Sequence, residues 1–289
     1  MLIKAFKLIK ENILMTLVFF LLYSPFLIFN IFFATGLLNT NKFGTYMIIY
    51  MLSMFLHILL WGTIFLFFIG YSYMISEIIK KGKTKAKDIF IGIKKFFVRM
   101  LLASLLMAAV FFVVGIIIQI IMLPINMAII FSSPEALGEF FINNQEGMTM
   151  FGSQQMPVIP EGFKGMFKSI SILYSIASLI SISFVSPLIA LWIPSMYLDD
   201  IGMIESLKCG FFAGKKKYWT LVCYAFIIFL PNSILLFFYD FDMSIDFQNN
   251  IPNIAMMIFY PASLILYHVI SFSIYDQYKN EQLDRVKVS

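Results

Sequence analysis

The sequence predicts an all-α, polytopic membrane protein with six transmembrane helices, and three observations carry that prediction. Six stretches, 12–41, 43–76, 100–134, 169–198, 218–239 and 247–275, contain no Asp, Glu, Lys or Arg. A hydrocarbon core of about 30 Å is crossed by about 20 helical residues at about 1.5 Å rise each, and every one of these stretches is long enough. The 289 residues are 61% hydrophobic and 13% charged, whereas soluble domains carry about 25% charged residues. Finally, of 21 basic residues, all but Lys42, Lys164 and Lys168 fall on one side once the chain is threaded back and forth. The whole of 1–289 reads as one integral membrane domain.

The first span, 12–36, follows Lys4, Lys7 and Lys10 and is kinked by Pro25. Its apolar run exceeds a signal-peptide core and lacks a small-residue cleavage site. The second, 46–76, is longer than the bilayer is thick, which predicts tilt or protrusion. A basic loop, Glu77–Phe97, leads to the third span, 98–123, which Pro124 ends or bends.

The connection 132–168 carries Glu135, Glu139, Glu146 and Glu161. It reads as a lid or binding segment, or as a plain extracytoplasmic link, with Ser133-Pro134 opening a short helix. The fourth span, 169–196, sets small residues four apart, Ser171/Ser175 and Ala177/Ser181. Such pairs let helix backbones approach closely in lipid; a packing helix and a polar solute path both fit. Pro187 and Pro194 disturb its inner end. The fifth span, 218–238, holds Pro231; the sixth, 253–275, holds Pro261 and leads into a short polar tail.

Lys and Arg resist translocation and set topology, so both termini are expected inside a plasma membrane. The basic residues are lysine except Arg99 and Arg285, and Ile, Phe and Asn abound, a composition that points to an AT-rich, bacterial source. The net charge of +5 is accounted for by topology, and no nucleic-acid partner is expected. Cys209 and Cys223 both fall near the inner side, where a structural disulfide is not expected.

Three basic segments share a spacing in which Phe is followed by Lys four residues later and a bulky apolar residue seven later. The trios are Phe6/Lys10/Ile13, Phe90/Lys94/Phe97 and Phe212/Lys216/Trp219. Offsets of four and seven share a helix face, so each segment predicts a short interfacial helix with lysines snorkelling to the head groups. Each would feed the first, third or fifth span, which makes three hairpin repeats. The lysines serve topology alone or bind anionic lipid on the cytoplasmic side, or a membrane or cytoplasmic protein partner. Candidates are Lys10, Lys94, Lys95, Lys215, Lys216, Lys217 and Trp219. Gly210-x-x-x-Gly214 lies in a basic segment and not in an apolar 20-mer, so it weighs little here.

Among polar residues at membrane depth, His57, His268 and Gln119 are candidates, because such groups are costly there and often functional. Interhelical hydrogen bonding, shared with Asn30, Asn126 and Asn232, is one reading; a proton relay is the other, though no intramembrane carboxylate would serve it. Asp199, Asp200, Glu205 and Lys208, beside Lys215–Lys217, form the densest charged cluster, an ionic network or a docking site for a cytoplasmic partner.

The segment from Ser186-Pro187-Leu188 to Trp219 carries Pro194, Asp199-Asp200, Gly202, Glu205-Ser206-Leu207-Lys208, Gly214-Lys215-Lys216-Lys217 and Tyr218-Trp219. It resembles an uncharacterised six-span bacterial integral membrane protein family, itself similar to the membrane domain preceding some glycerophosphodiester phosphodiesterases. Ser206 stands where that pattern commonly has Ala. The phosphodiesterase domain is absent, so the resemblance implies architecture and carries over no catalytic residue.

No nucleophile–base pair, metal set, cofactor motif or phosphate-cradling loop is visible. The expectation is a non-catalytic membrane-embedded accessory or permease-like component with a basic cytoplasmic face. Two alternatives stay open: a transporter or exporter subunit powered by a separate ATPase, encouraged by proline-broken spans, and a lipid-modifying membrane enzyme.

Overall fold

A computed structural model describes residues 43–131, 161–237 and 251–288, together with Ile9, Lys10, Asn12, Leu14 and Leu17. The first expected span apart from Asn12, Leu14 and Leu17, the helix at Ser133-Pro134 and most of the connections 132–168 and 239–252 lie outside the described residues. Within them the protein is all-helical, with no strand. The helices are α1 (Phe43–Lys81), α2 (Lys87–Phe131), α3 (Glu161–Ile189), α4 (Trp192–Asp199), α5 (Met203–Lys216), α6 (Tyr218–Phe237) and α7 (Ile251–Val288).

Four helical segments are long and apolar enough to cross a membrane: Ile58–Lys81, Lys87–Ile129, Lys168–Asp199 and Tyr218–Leu235. Along α2, Leu105, Phe112, Ile120 and Leu123 are each more than half exposed. A soluble monomer does not present an apolar surface of that extent, whereas lipid is an apt solvent for it. The chain is a membrane protein.

α1 and α2 form an antiparallel hairpin around residues 82–86. Gly82, at φ +76°, ends α1 in the left-handed region that glycine adopts freely, and its N–H donates to Ile78 O at 2.7 Å. Asp88 then gathers the start of α2, accepting from Lys85 N at 2.8 Å and Thr84 Oγ1 at 2.9 Å. The broadest helix contacts are α3 with α6 and α1 with α2, followed by α6 with α7 and α4 with α5. α1, α3 and α7 run towards one charged end, and α2 and α6 run away from it.

The fully buried core lies near that charged end, with Tyr71, Met74, Ile75, Phe96, Met100, Trp192, Met196, Tyr197 and Phe272 at its heart. Phe96 and Tyr197 rings stack at 4.1 Å between centroids. Helices in lipid gain little from the hydrophobic effect, so close packing and hydrogen bonds must hold them.

Several sequence expectations are corrected. The separate interfacial helix over Phe90–Phe97 does not exist: α2 runs unbroken from Lys87, because nothing between Lys87 and Leu123 removes a backbone donor. Pro124 does not end the third span; it sits inside α2, which continues to Phe131. The loop expected over Glu77–Phe97 shrinks to 82–86. The sixth helix does not end at Tyr275: α7 carries on through the polar tail to Val288. The fourth span, whose inner end Pro187 and Pro194 are expected to disturb, does break at 190–191, and α4 follows it as a separate helix of about two turns, buried from Trp192 to Leu198.

Gly210-x-x-x-Gly214 carries more weight than its basic setting implied. A Cβ on Gly210 would lie 2.5 Å from Trp192 Cα, and one on Gly214 would lie 2.6 Å from Pro187 O. These two glycines let α5 press directly onto the backbone of α3 and α4.

Candidate functional site

The charged end is built around α4. Trp192 Nε1 donates to Ser206 Oγ at 2.9 Å and Met203 O at 3.1 Å, which ties α4 to α5. Ser195 Oγ lies 2.7 Å from Ser206 O and completes the clasp. Tyr197 OH donates to Ile69 O at 3.2 Å, and Lys80 Nζ donates back to Tyr197 O at 3.0 Å, so α1 grips α4 at both levels.

With α4 held, the two acids at its end point in different directions. Asp200, at φ 55°, takes the left-handed conformation that closes α4. Its carboxylate accepts from Lys95 Nζ and, at 3.1 Å, from Arg99 Nη1, both on α2. Burial pushes this carboxyl up, but the hydrogen bonds and attraction of Lys95 and then Arg99 outweigh it, and it titrates below the ordinary carboxylate value. Asp199 faces α7 instead, accepting from Lys279 Nζ and Tyr275 OH, each at 2.5 Å. Lys217 Nζ meets both Glu281 oxygens at 2.8 Å, and that bond holds the Glu281 carboxyl low.

The cluster expected from sequence is therefore rewired. Asp199 and Asp200 do not pair with Lys215–Lys217; they bind α2 and α7, because the left-handed turn at Asp200 separates α4 from the basic end of α5. Glu205 and Lys208 are both exposed on α5, and Lys94, Lys215 and Trp219 are exposed as well, Trp219 at 69%. Lys216 lies over the Tyr278 ring at 5.5 Å. Lys10 is exposed in the N-terminal segment. Burial, then Asp199 and Glu205, push the Cys209 thiol up, which disfavours the reactive thiolate.

Sequence reasoning missed Lys80, Arg99, Tyr197, Lys279 and Glu281 as parts of this network. One signal was available: Arg99 is one of only two arginines, and a planar guanidinium suits carboxylate recognition better than an ammonium does. Nothing in one sequence announces that α7 extends far enough to bring Lys279 and Glu281 into reach.

Above the charged layer lies a cavity of about 640 Å³ between α1, α2, α3, α6 and α7, with Ile193 of α4 at its base. His268, a candidate from sequence, lines it; its Nε2 shares a 2.8 Å hydrogen bond with Ser72 Oγ of α1. The Phe68 and Phe272 rings pack on the imidazole at 4.6 and 5.0 Å. Beside it Ser186 Oγ and Tyr267 OH are hydrogen-bonded at 3.1 Å. Gln119 belongs to a separate bridge: Asn126 Nδ2 donates to Tyr174 OH at 2.9 Å, which donates to Gln119 Oε1 at 2.7 Å. Asn232 Nδ2 likewise donates to Ser263 Oγ at 2.8 Å. These are the interhelical hydrogen bonds foreseen for Gln119, Asn126 and Asn232. The side chain of His57 lies outside the described residues.

Among the described residues no three His, Cys, Asp or Glu side chains are grouped to hold a metal ion. Cys209 and Cys223 are both free thiols. Comparisons with family models, curated proteins and solved structures find no match to this chain.

Proposed function

We propose that this is a six-span plasma-membrane protein with both termini inside, acting without catalysis as a membrane-embedded accessory or permease-like component whose basic inner face holds anionic lipid head groups. The carrying observation is what remains after internal pairing. Lys83, Lys85, Lys87, Lys94, Lys208 and Lys215 are exposed, and none has an acidic partner among the described residues. They stand beside the exposed Phe90, Phe212 and Trp219. Ammonium groups next to outward aromatic rings suit the head-group layer of an anionic leaflet, at about 1 kcal/mol per Lys near the surface. The three-repeat arrangement, and the likeness to the membrane domain preceding some glycerophosphodiester phosphodiesterases, form the finer part of this reading.

The test spares lysines already engaged inside the protein. The triple variant Lys94→Gln, Lys208→Gln, Lys215→Gln leaves Lys95 on Asp200 and Lys217 on Glu281. Released from mixed phosphatidylglycerol and phosphatidylcholine nanodiscs into native mass spectrometry, it is expected to retain fewer phosphatidylglycerol molecules than the parent, with phosphatidylcholine unchanged. Equal retention of phosphatidylglycerol refutes head-group binding by this face.

A transporter subunit is the second reading, favoured by one feature: the break between α3 and α4 borders the cavity through Ile189, Ala190 and Ile193, and interrupted spans line substrate sites in many carriers. Copurification with an ATPase and solute flux in proteoliposomes support it; absence of both removes it.

A further inference from the structure

The cavity has the size and lining of a site for a small, largely apolar molecule. Its volume of about 640 Å³ falls within the range of about 300–1,000 Å³ typical of small-molecule sites. No Asp, Glu, Lys or Arg lines it, and the α1 and α2 walls are aliphatic and aromatic. Its α3 wall differs. Ser178, Ser181 and Ser186 are set three, then five residues apart, and all face the space. Ser186 is engaged by Tyr267, but Ser178 and Ser181 make no hydrogen bond within the described residues.

A helical serine commonly bonds back to its own helix, as Ser271 Oγ does to Tyr267 O at 2.8 Å. Ser178 is exposed and Ser181 half-buried, so both hydroxyls are open to whatever occupies the cavity, and at membrane depth the hydrocarbon of lipid offers them no hydrogen bond. The depth follows from α7. His268 stands eleven residues before Lys279, hence about 16 Å along the helix from the ionic layer at about 1.5 Å per residue. Trp61, at one rim, is more than half exposed, so the space communicates with the surface that faces lipid.

We propose that this cavity binds a neutral single-chain amphiphile drawn from the bilayer, its hydrocarbon between α1 and α2 and its hydroxyl group on Ser178 and Ser181. An anionic head group is disfavoured, because no cation lines the space. A bare hydrocarbon would leave the serines unmet. The site is independent of the basic face: the lysine variants above are expected to leave it untouched.

The test uses the full chain in phosphatidylcholine nanodiscs and a diazirine-bearing monoacylglycerol, with crosslinked peptides mapped by mass spectrometry. Saturable labelling is expected between Met107 and Ile118, displaced by unlabelled monoacylglycerol. Gly115 lines the cavity, and a Cβ there would meet nothing within 4 Å, so Gly115→Phe fills the space without striking backbone. It is expected to cut labelling at least fivefold, and Gly115→Leu serves where Phe impairs insertion. Gly62→Phe, equally unobstructed but outside the cavity lining, is expected to leave labelling unchanged.

Ser178→Val with Ser181→Val is expected to raise the half-saturating concentration about fivefold, the effect of losing one ordinary hydrogen bond. The same change is not expected with a diazirine alkane lacking the hydroxyl. Labelling that never saturates, spreads over the outward faces of α2 and ignores Gly115→Phe overturns the site. Saturable labelling indifferent to the serine changes overturns the hydroxyl assignment. A photo-crosslinker at position 115 that captures residues 12–36 in place of the amphiphile shows the space to be filled by the chain itself, which also overturns it.

Discussion

Asp200 sits at φ 55°, a conformation few residues other than glycine tolerate; aspartate is among the exceptions. The same residue has to turn the chain and present a carboxylate to Lys95 and Arg99, which glycine could not do. Asp200→Asn keeps the turn and removes the charge. Because the pair is nearly half exposed, it contributes at most about 1 kcal/mol, and a modest fall in melting temperature at neutral pH is expected. The pH dependence is more telling. The folded carboxyl titrates low, so its stabilisation is complete above the unfolded value of about 3.9 and is lost as pH falls through the lower folded value. Melting followed by Trp fluorescence is expected to drop across that acidic window in the parent and to be flatter in Asp200→Asn; parallel profiles would show that the pair contributes nothing. Trp192→Phe acts in the core instead, leaving Ser206 without its indole donor, and is expected to lower stability by about 1–3 kcal/mol. Trp192 was invisible as a site residue, since a tryptophan in an apolar run reads equally well as packing.

The helix α5 depends on two missing side chains. Gly210→Ala would drive a methyl group to 2.5 Å from Trp192 Cα, and backbone cannot swing aside as a flexible side chain can. A loss of about 1–3 kcal/mol, the usual range for overpacking, is expected. Gly202→Ala is the control, because a Cβ there meets nothing within 4 Å and its backbone is extended at φ −64°. A detergent melt in which both variants match the parent would show that α5 does not need this close approach. The glycine spacing was legible in the sequence, but its partner was not. Helix-pairing patterns are read in apolar runs, and this one packs beneath a basic surface, against a stretch of α4 buried for reasons of its own. The continuity of α2 was misread for a related cause. Basic residues at a span's end signal a boundary of the membrane, and they say nothing about where the helix itself ends.

At the scale of the whole molecule, the orientation remains the claim with the widest consequences. With Cys209 and Cys223 replaced by Ala, Lys85→Cys is expected to resist a membrane-impermeant maleimide added to whole cells, and Met150→Cys to react. The reverse pattern would invert the protein and move the lysine-rich face outside. The positions of charge argue for the first outcome; the structure adds that Lys80, Lys95, Lys217 and Lys279 converge on one end of the bundle, so whichever side that end faces carries them together. The cavity belongs to this scale as well. Its walls come from six helices, several of them far apart in sequence, and only His268 and the serine spacing on α3 hinted at a polar lining.

Composition and charge placement by themselves determined that this is a helical membrane protein, and roughly where four apolar spans fall among the described residues. A bilayer imposes length and polarity on every crossing segment, and those are properties of one stretch of chain at a time. Which lysine meets which aspartate, where α3 breaks and what encloses the cavity were decided only by tertiary structure. Each of these depends on helices meeting across tens or hundreds of residues, and a polar side chain's partner is set by that meeting and not by its neighbours in sequence.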